Sequence, residues 1–281
     1  MTLPPLLHFT ASTLQSFAPK LTPVLSNSAV GYQNKEVTPN EWNLSCSTFQ
    51  TVGDKVATLG DITANDLFAF AADTLQTLNG NGGTLANYTF LSANVAPDYA
   101  EYGLSEGWYD YDELMAWDWA SEAPAKKNSV ELPFGTMFIL QSANDGAALV
   151  YSGEVLPTDK EFLIISGVWN MLGNATPVDL TLGDITANDI FAFAADTIQT
   201  LNGNGGTLAN YTYLSPTFVP DYEMYGLKAG WYDYDDLMAW DWASEAPAQK
   251  NNVAIPAGYG FIVQSANDGA SITIPSPLVV E

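Results

Sequence analysis

Arginine is absent from the 281-residue chain, and cysteine and histidine occur once each. Each scarcity excludes a class of chemistry. Its eight basic residues are all lysine and face 32 acidic ones, for a formal charge of −24. A nucleic-acid partner requires cations that displace counterions from phosphate, and this surface repels a duplex. An anionic membrane surface is repelled for the same reason. Charged residues total only 14%, low for a halophile's solvating surface. The acidic excess therefore reads as a solubilising, cation-attracting one.

Cys46 has no second cysteine to pair with, which rules out an intrachain disulfide and a four-thiolate zinc site. A Ser–His–Asp or Cys–His arrangement would have to use His8 or Cys46, and neither recurs with a partner. The expectation is that the protein is not an enzyme. No apolar run approaches the roughly eighteen residues of a membrane-spanning helix, so no membrane insertion is expected. Residues 1–30 lack a basic start, and Pro4, Pro5, Pro19 and Pro23 interrupt them, so no signal peptide is legible there.

What the chain does have is a long internal repeat. LGDITAND opens at Leu59 and again at Leu182, GWYDYDELMAWDWASEAPA at Gly107 returns with one change at Gly230, and QSANDGA at Gln141 returns at Gln264. The offset is 123 residues throughout, without insertion or deletion from Leu59–Ala147 to Leu182–Ala270. A period of that length is a whole domain, not a solenoid unit. Upstream the match weakens around WNLSC at 42–46 and WNMLG at 169–173. The expected organisation is an extended arm over 1–29 and two repeats over 30–155 and 156–281. Their connection is short, which predicts that they sit against each other.

Within one repeat, DTLQTL (73–78) and TLANYTFL (84–91) alternate with period 2 around NGNGG and predict a hairpin, repeated at 196–201 and 207–214. TMFILQS (136–142) and YGFIVQS (259–265) predict strands buried on both faces, each followed by an NDGA turn and another strand. DELMAWDWA (112–120) reads as a short helix with Met115 and Trp119 on one face. Many short strands punctuated by Gly, Asn and Pro predict a mostly all-β protein, each repeat a β-sandwich with short helical turns.

The phrases VWNMLGN (168–174), IPAGYGFIVQS (255–265), LPFGTMFILQS (132–142) and LVYSGEV (149–155) resemble the pattern "GWNLVGNP … LPAGxGFFVQS … TFSGEV" of secreted bacterial cell-surface β-sandwich modules. The resemblance implies that fold and an extracellular or cell-surface location. The first copy departs from it, because WNLSC lacks the Gly-Asn of the second.

The segment at Trp108–Trp119, repeated at Trp231–Trp242, carries the most distinctive chemistry. Its carboxylates, Asp110, Asp112, Glu113 and Asp118 with Asp233, Asp235, Asp236 and Asp241, are hard oxygen ligands at close spacing and make calcium the one candidate cofactor. No complete calcium loop with a closing glutamate is present, and a solvated acidic loop is the plainer reading. Its rings, Trp108, Trp117, Trp119, Trp231, Trp240 and Trp242, suit stacking on the CH faces of a glycan, the alternative being core packing. The arm offers Leu6, Leu7, Phe9, Leu14, Phe17, Leu21, Val24 and Leu25 for addition as a strand to a neighbour's sheet edge, or for folding back on its own repeat.

The leading functional expectation is a structural, self-assembling fibre or surface-layer subunit, a homopolymer in which each repeat stacks head-to-tail on the next. A carbohydrate-binding or adhesive surface module is the alternative.

Overall fold

The computed structural model describes residues 30–51, 55–65, 73–188 and 196–278. The arm residues Leu6, Leu7, Phe9, Leu14, Phe17, Leu21, Val24 and Leu25 lie outside them. The described residues are mostly β, with 39% strand against 13% helix.

The first repeat contributes β1 (Val30–Glu36), β2 (Asn43–Cys46), β3 (Thr63–Asn65), β4 (Thr74–Leu78), β5 (Thr84–Leu91), β6 (Gly107–Asp110), β7 (Met137–Gln141) and β8 (Ala148–Glu154). The second contributes β9 (Lys160–Leu163), β10 (Asn170–Gly173), β11 (Leu180–Thr181), β12 (Thr186–Asn188), β13 (Thr197–Leu201), β14 (Thr207–Leu214), β15 (Gly230–Asp233), β16 (Ala254–Ile255), β17 (Gly260–Gln264) and β18 (Ser271–Ile274). Short helices α1 (Tyr111–Met115), α2 (Val219–Tyr222) and α3 (Tyr234–Met238) lie between strands.

Each repeat builds a five-stranded antiparallel sheet, β2-β7-β4-β5-β6 or β10-β17-β13-β14-β15, and a three-stranded one, β1-β8-β3 or β9-β18-β12. The predicted hairpin is β4–β5, with Leu75 opposite Tyr88, and recurs as β13–β14. Asn79 closes its NGNGG turn by accepting from Asn81 N and Gly83 N through Oδ1 at 2.9 and 3.1 Å.

Met137, Phe138, Ile139 and Leu140 are all fully buried, as expected for a strand covered on both faces. Phe138 and Leu140 join Leu75, Phe90 and Trp108 in a core against Leu149 and Tyr151 of the three-stranded sheet. Met137 and Ile139 point the other way. With Leu44 they pack on Met171 and Ile262 of the second repeat, under Trp42 and Trp169. Burial of one such side chain contributes about 1.5–3 kcal/mol.

Two tandem sandwiches would leave the outer face of each five-stranded sheet to solvent. Here those faces meet, as the short connection predicts, but the small sheets take a propeller-like arrangement, which corrects the expectation of two tandem sandwiches. The contact between repeats is reciprocal. Trp42 N donates to Gly203 O at 2.6 Å, and its counterpart Trp169 N donates to Gly80 O at 2.7 Å. Each indole lies on the other repeat's turn, where a Cβ on Gly205 (φ +77°) or Gly82 (φ +75°) would collide with the ring. Such a pseudo-twofold interface closes on itself and does not propagate.

Candidate functional site

After β5 the chain leaves the sheet for a segment that folds over the far end of the same face. Leu91, Ala96, Leu104, Tyr109 and Leu114 form its small core, with Val95, Tyr99, Trp117 and Ala123 packed against it. Alternation along β6 sorts the GWYD residues. Trp108 points into the main core and Tyr109 into the small one. Asp110 ends the strand as the N-cap of α1, accepting from Glu113 N at 3.0 Å. Tyr109 pins the preceding loop through its hydroxyl, which donates to Ser105 O at 2.8 Å.

Trp108 and Trp231 are therefore corrected from ligand-facing rings to core residues. They are 1% and 0% exposed, and each donates through Nε1 to a backbone carbonyl, Ile62 O or Ile185 O, at 2.9 Å. A buried indole needs that partner, because an unmet N–H costs more than a hydrogen bond returns.

The other expected rings come together at the surface. Trp119 and Trp242 are 45% and 46% exposed, and Trp117 and Trp240 are half-buried beneath them. Ring centroids are 4.8 Å apart in both the Trp117–Trp119 and Trp240–Trp242 pairs. Tyr102 meets Trp119 edge-on at 5.1 Å, and Tyr225 meets Trp242 edge-on at 5.0 Å. Tyr99 and Tyr222 complete the clusters at 5.9 and 6.0 Å. Met115 and Met238 are exposed at the ends of α1 and α3. Helix α1 stops before Trp119, so the helical face expected to join Met115 and Trp119 does not form. Glu101, hydrogen-bonded to Tyr102, pushes the phenol's pKa up and keeps it neutral.

The expected calcium ligands are not gathered into one shell. Asp110 and Asp233 cap helices, and Asp118 and Asp241 accept from Ala120 N and Ala243 N at 3.1 Å. Glu113 pairs with Lys127 at 2.9 Å and Asp236 with Lys250 at 3.5 Å. Asp112 and Asp235 are exposed in the first turns of their helices. Among the described residues no group of three His, Cys, Asp or Glu converges.

Sequence reasoning missed a set of buried polar atoms on the covered face of the sheet. Trp117 Nε1, Asn87 Oδ1 and Thr89 Oγ1 are buried without a hydrogen-bond partner, and Trp240 Nε1 and Asn210 Oδ1 repeat two of them. Thr89 stands opposite Tyr109 in the β5–β6 register, so it shares the face that Trp117 covers. The signal was present in LANYTF. Ala86, Tyr88 and Phe90 alternate with Asn87 and Thr89, a polar row facing a segment rich in tryptophan. These open polar groups lie under the covering segment, at equivalent places in the two repeats.

No protein-family model, no curated protein and no solved structure matches this chain.

Proposed function

We propose that the protein is a bivalent carbohydrate-binding or adhesive protein of the extracellular space or cell surface, with one aromatic platform in each repeat. The observation that carries this is the paired, half-exposed Trp–Trp–Tyr cluster, present twice with nearly the same geometry. Exposed indole and phenol faces stack on sugar CH surfaces, and the exposed Asp112 and Asp235 on the neighbouring helices suit hydroxyl donors. Two weak sites on one chain raise retention on a dense surface without any new contact. Of the candidate carboxylates, Asp110 and Asp233 serve as helix caps and Glu113 and Asp236 as ion-pair partners.

The test is binding to a glycan array and to insoluble polysaccharides by the full chain and by Trp119→Ala, Trp242→Ala and the double variant, with far-UV circular dichroism as the folding control. Each single variant should weaken surface retention, and the double variant should abolish it while staying folded. Unchanged retention by the folded double variant overturns the reading.

A second reading, the self-assembling subunit, draws on the edge strands β1 and β9, which expose Val30, Tyr32 and Leu163. Apolar edges of this kind template pairing between chains. Head-to-tail stacking through the repeat interface loses its motive, because that interface is reciprocal and occupied within the chain. Light scattering and negative-stain microscopy decide it, and a monodisperse monomer with and without calcium removes it.

A further inference from the structure

Away from both platforms, a cleft of about 300 Å³ opens beside the join between the repeats, lined by residues that include Phe49, Lys55, Val56, Phe134 and Lys160. A second hollow, of about 510 Å³, continues it past Thr51, Lys55 and Val56 towards Val30 and Asp61. Phe49 is buried and anchors the floor, and the half-buried Phe134 stacks on Phe162 at 6.4 Å. Two packed aromatic rings thus line the cleft beside the polar Gln50 and Thr51.

Charge distinguishes this cleft from the rest of the molecule. The chain has eight basic residues against 32 acidic ones, yet two of the lysines, one from each repeat, line the same small cleft. Among the described residues the ion pairs are Lys127–Glu113 and Lys250–Asp236, and neither Lys55 nor Lys160 has a carboxylate within 4.0 Å. Two ammonium groups that form no ion pair among the described residues, set beside aromatic rings, complement an anion with a hydrocarbon body.

The repeats diverge at this place. Phe134 corresponds to Ala257 at the 123-residue offset, and Lys55 and Val56 lie between Cys46 and Leu59, where the first repeat is four residues longer than the second. In the second repeat the exposed Asp179 accepts from Ala257 N at 2.9 Å. So the first copy carries an aromatic ring where the second has an alanine whose N–H is held by a carboxylate.

We propose that this cleft binds a medium-chain aliphatic carboxylate, its chain against Phe49, Val56 and Phe134 and its carboxylate between Lys55 and Lys160. The inference is independent of the carbohydrate reading, since neither tryptophan platform takes part.

The experiment is isothermal titration of the full chain with decanoate, decanol and decyltrimethylammonium, below their aggregation concentrations. Decanoate should bind with one site per chain, about five-fold or more tighter than the uncharged and cationic probes, as expected for a partly exposed charge contact. The double variant Lys55→Gln/Lys160→Gln should lose that preference and keep weak binding of decanol. Phe134→Ala should weaken decanoate and decanol alike. Equal affinity for all three probes, decanoate binding unchanged in the double lysine variant, or no decanoate binding by the folded chain overturns the proposal. Binding seen only after deletion of residues 2–27 also overturns it, since the chain's own first segment is then the occupant.

Discussion

Met137 occupies the space that Gly260, its own counterpart 123 residues later, leaves empty: a Cβ on Gly260 would run into the Met137 side chain. The neighbouring pair repeats the relation, with Cys46 filling the place of a side chain at Gly173. Large groups thus stand in the first repeat and glycines at the equivalent positions of the second. Two identical copies would meet side chain on side chain, or gap on gap. The repeats are fitted to each other, not to themselves.

Exchange of that pair tests the fit. Gly260→Met should destabilise the protein by about 1–3 kcal/mol through overpacking, and Met137→Gly by about 2–5 kcal/mol through the cavity it opens. Combined, they should cost clearly less than the sum in urea denaturation. Simple additivity would mean that the two positions do not share space.

The reciprocal indoles should matter equally. Trp42→Ala and Trp169→Ala each remove a half-buried ring from the interface between repeats, at about 2 kcal/mol by lost apolar burial. Unfolding midpoints should fall by similar amounts for the two variants. A large inequality would show that the pseudo-twofold contact is energetically one-sided.

Burial pushes the Cys46 thiol up to about 12 and pushes the Tyr151 phenol up as well. Both acids are held neutral by the fold and ionise more readily when unfolded. Their contribution is complete below the unfolded thiol value near 9.0 and is lost as pH rises towards 12. Stability should therefore fall above pH 9, by on the order of 1 kcal/mol per pH unit for each group while its two states differ. Denaturation curves between pH 8 and 11 measure the slope, which Cys46→Ala should reduce. A thiol reagent at pH 8 should leave Cys46 unmodified until denaturant is added.

Asp110→Ala and Asp233→Ala should each cost about 1 kcal/mol in calcium-free buffer, since a helix cap needs no ion. If either loss appears only when calcium is present, these carboxylates are metal ligands first and caps second. Thermal melts with calcium and with EDTA separate the two cases.

Hairpins, both-face burial in TMFILQS and the NDGA turns were legible because period-2 alternation and turn residues are local properties. The role of the WYD run was only half legible. Spacing places Trp108 and Tyr109 on opposite faces, but nothing local tells which face meets the core and which meets solvent. The carboxylate cluster misled for a related reason. Proximity in sequence supplies oxygen atoms, whereas a cap or a lysine fourteen residues away decides where each one points.

The amino-acid sequence by itself determined that there are two like units, that each is built of short strands, and that one strand in each is apolar on both sides. What covers the second side was decided only in three dimensions. An apolar face accepts any complementary apolar face, and alternation names no partner. The choice came from the shapes that meet across the middle of the molecule, a methionine over a glycine and an indole over the other repeat's turn.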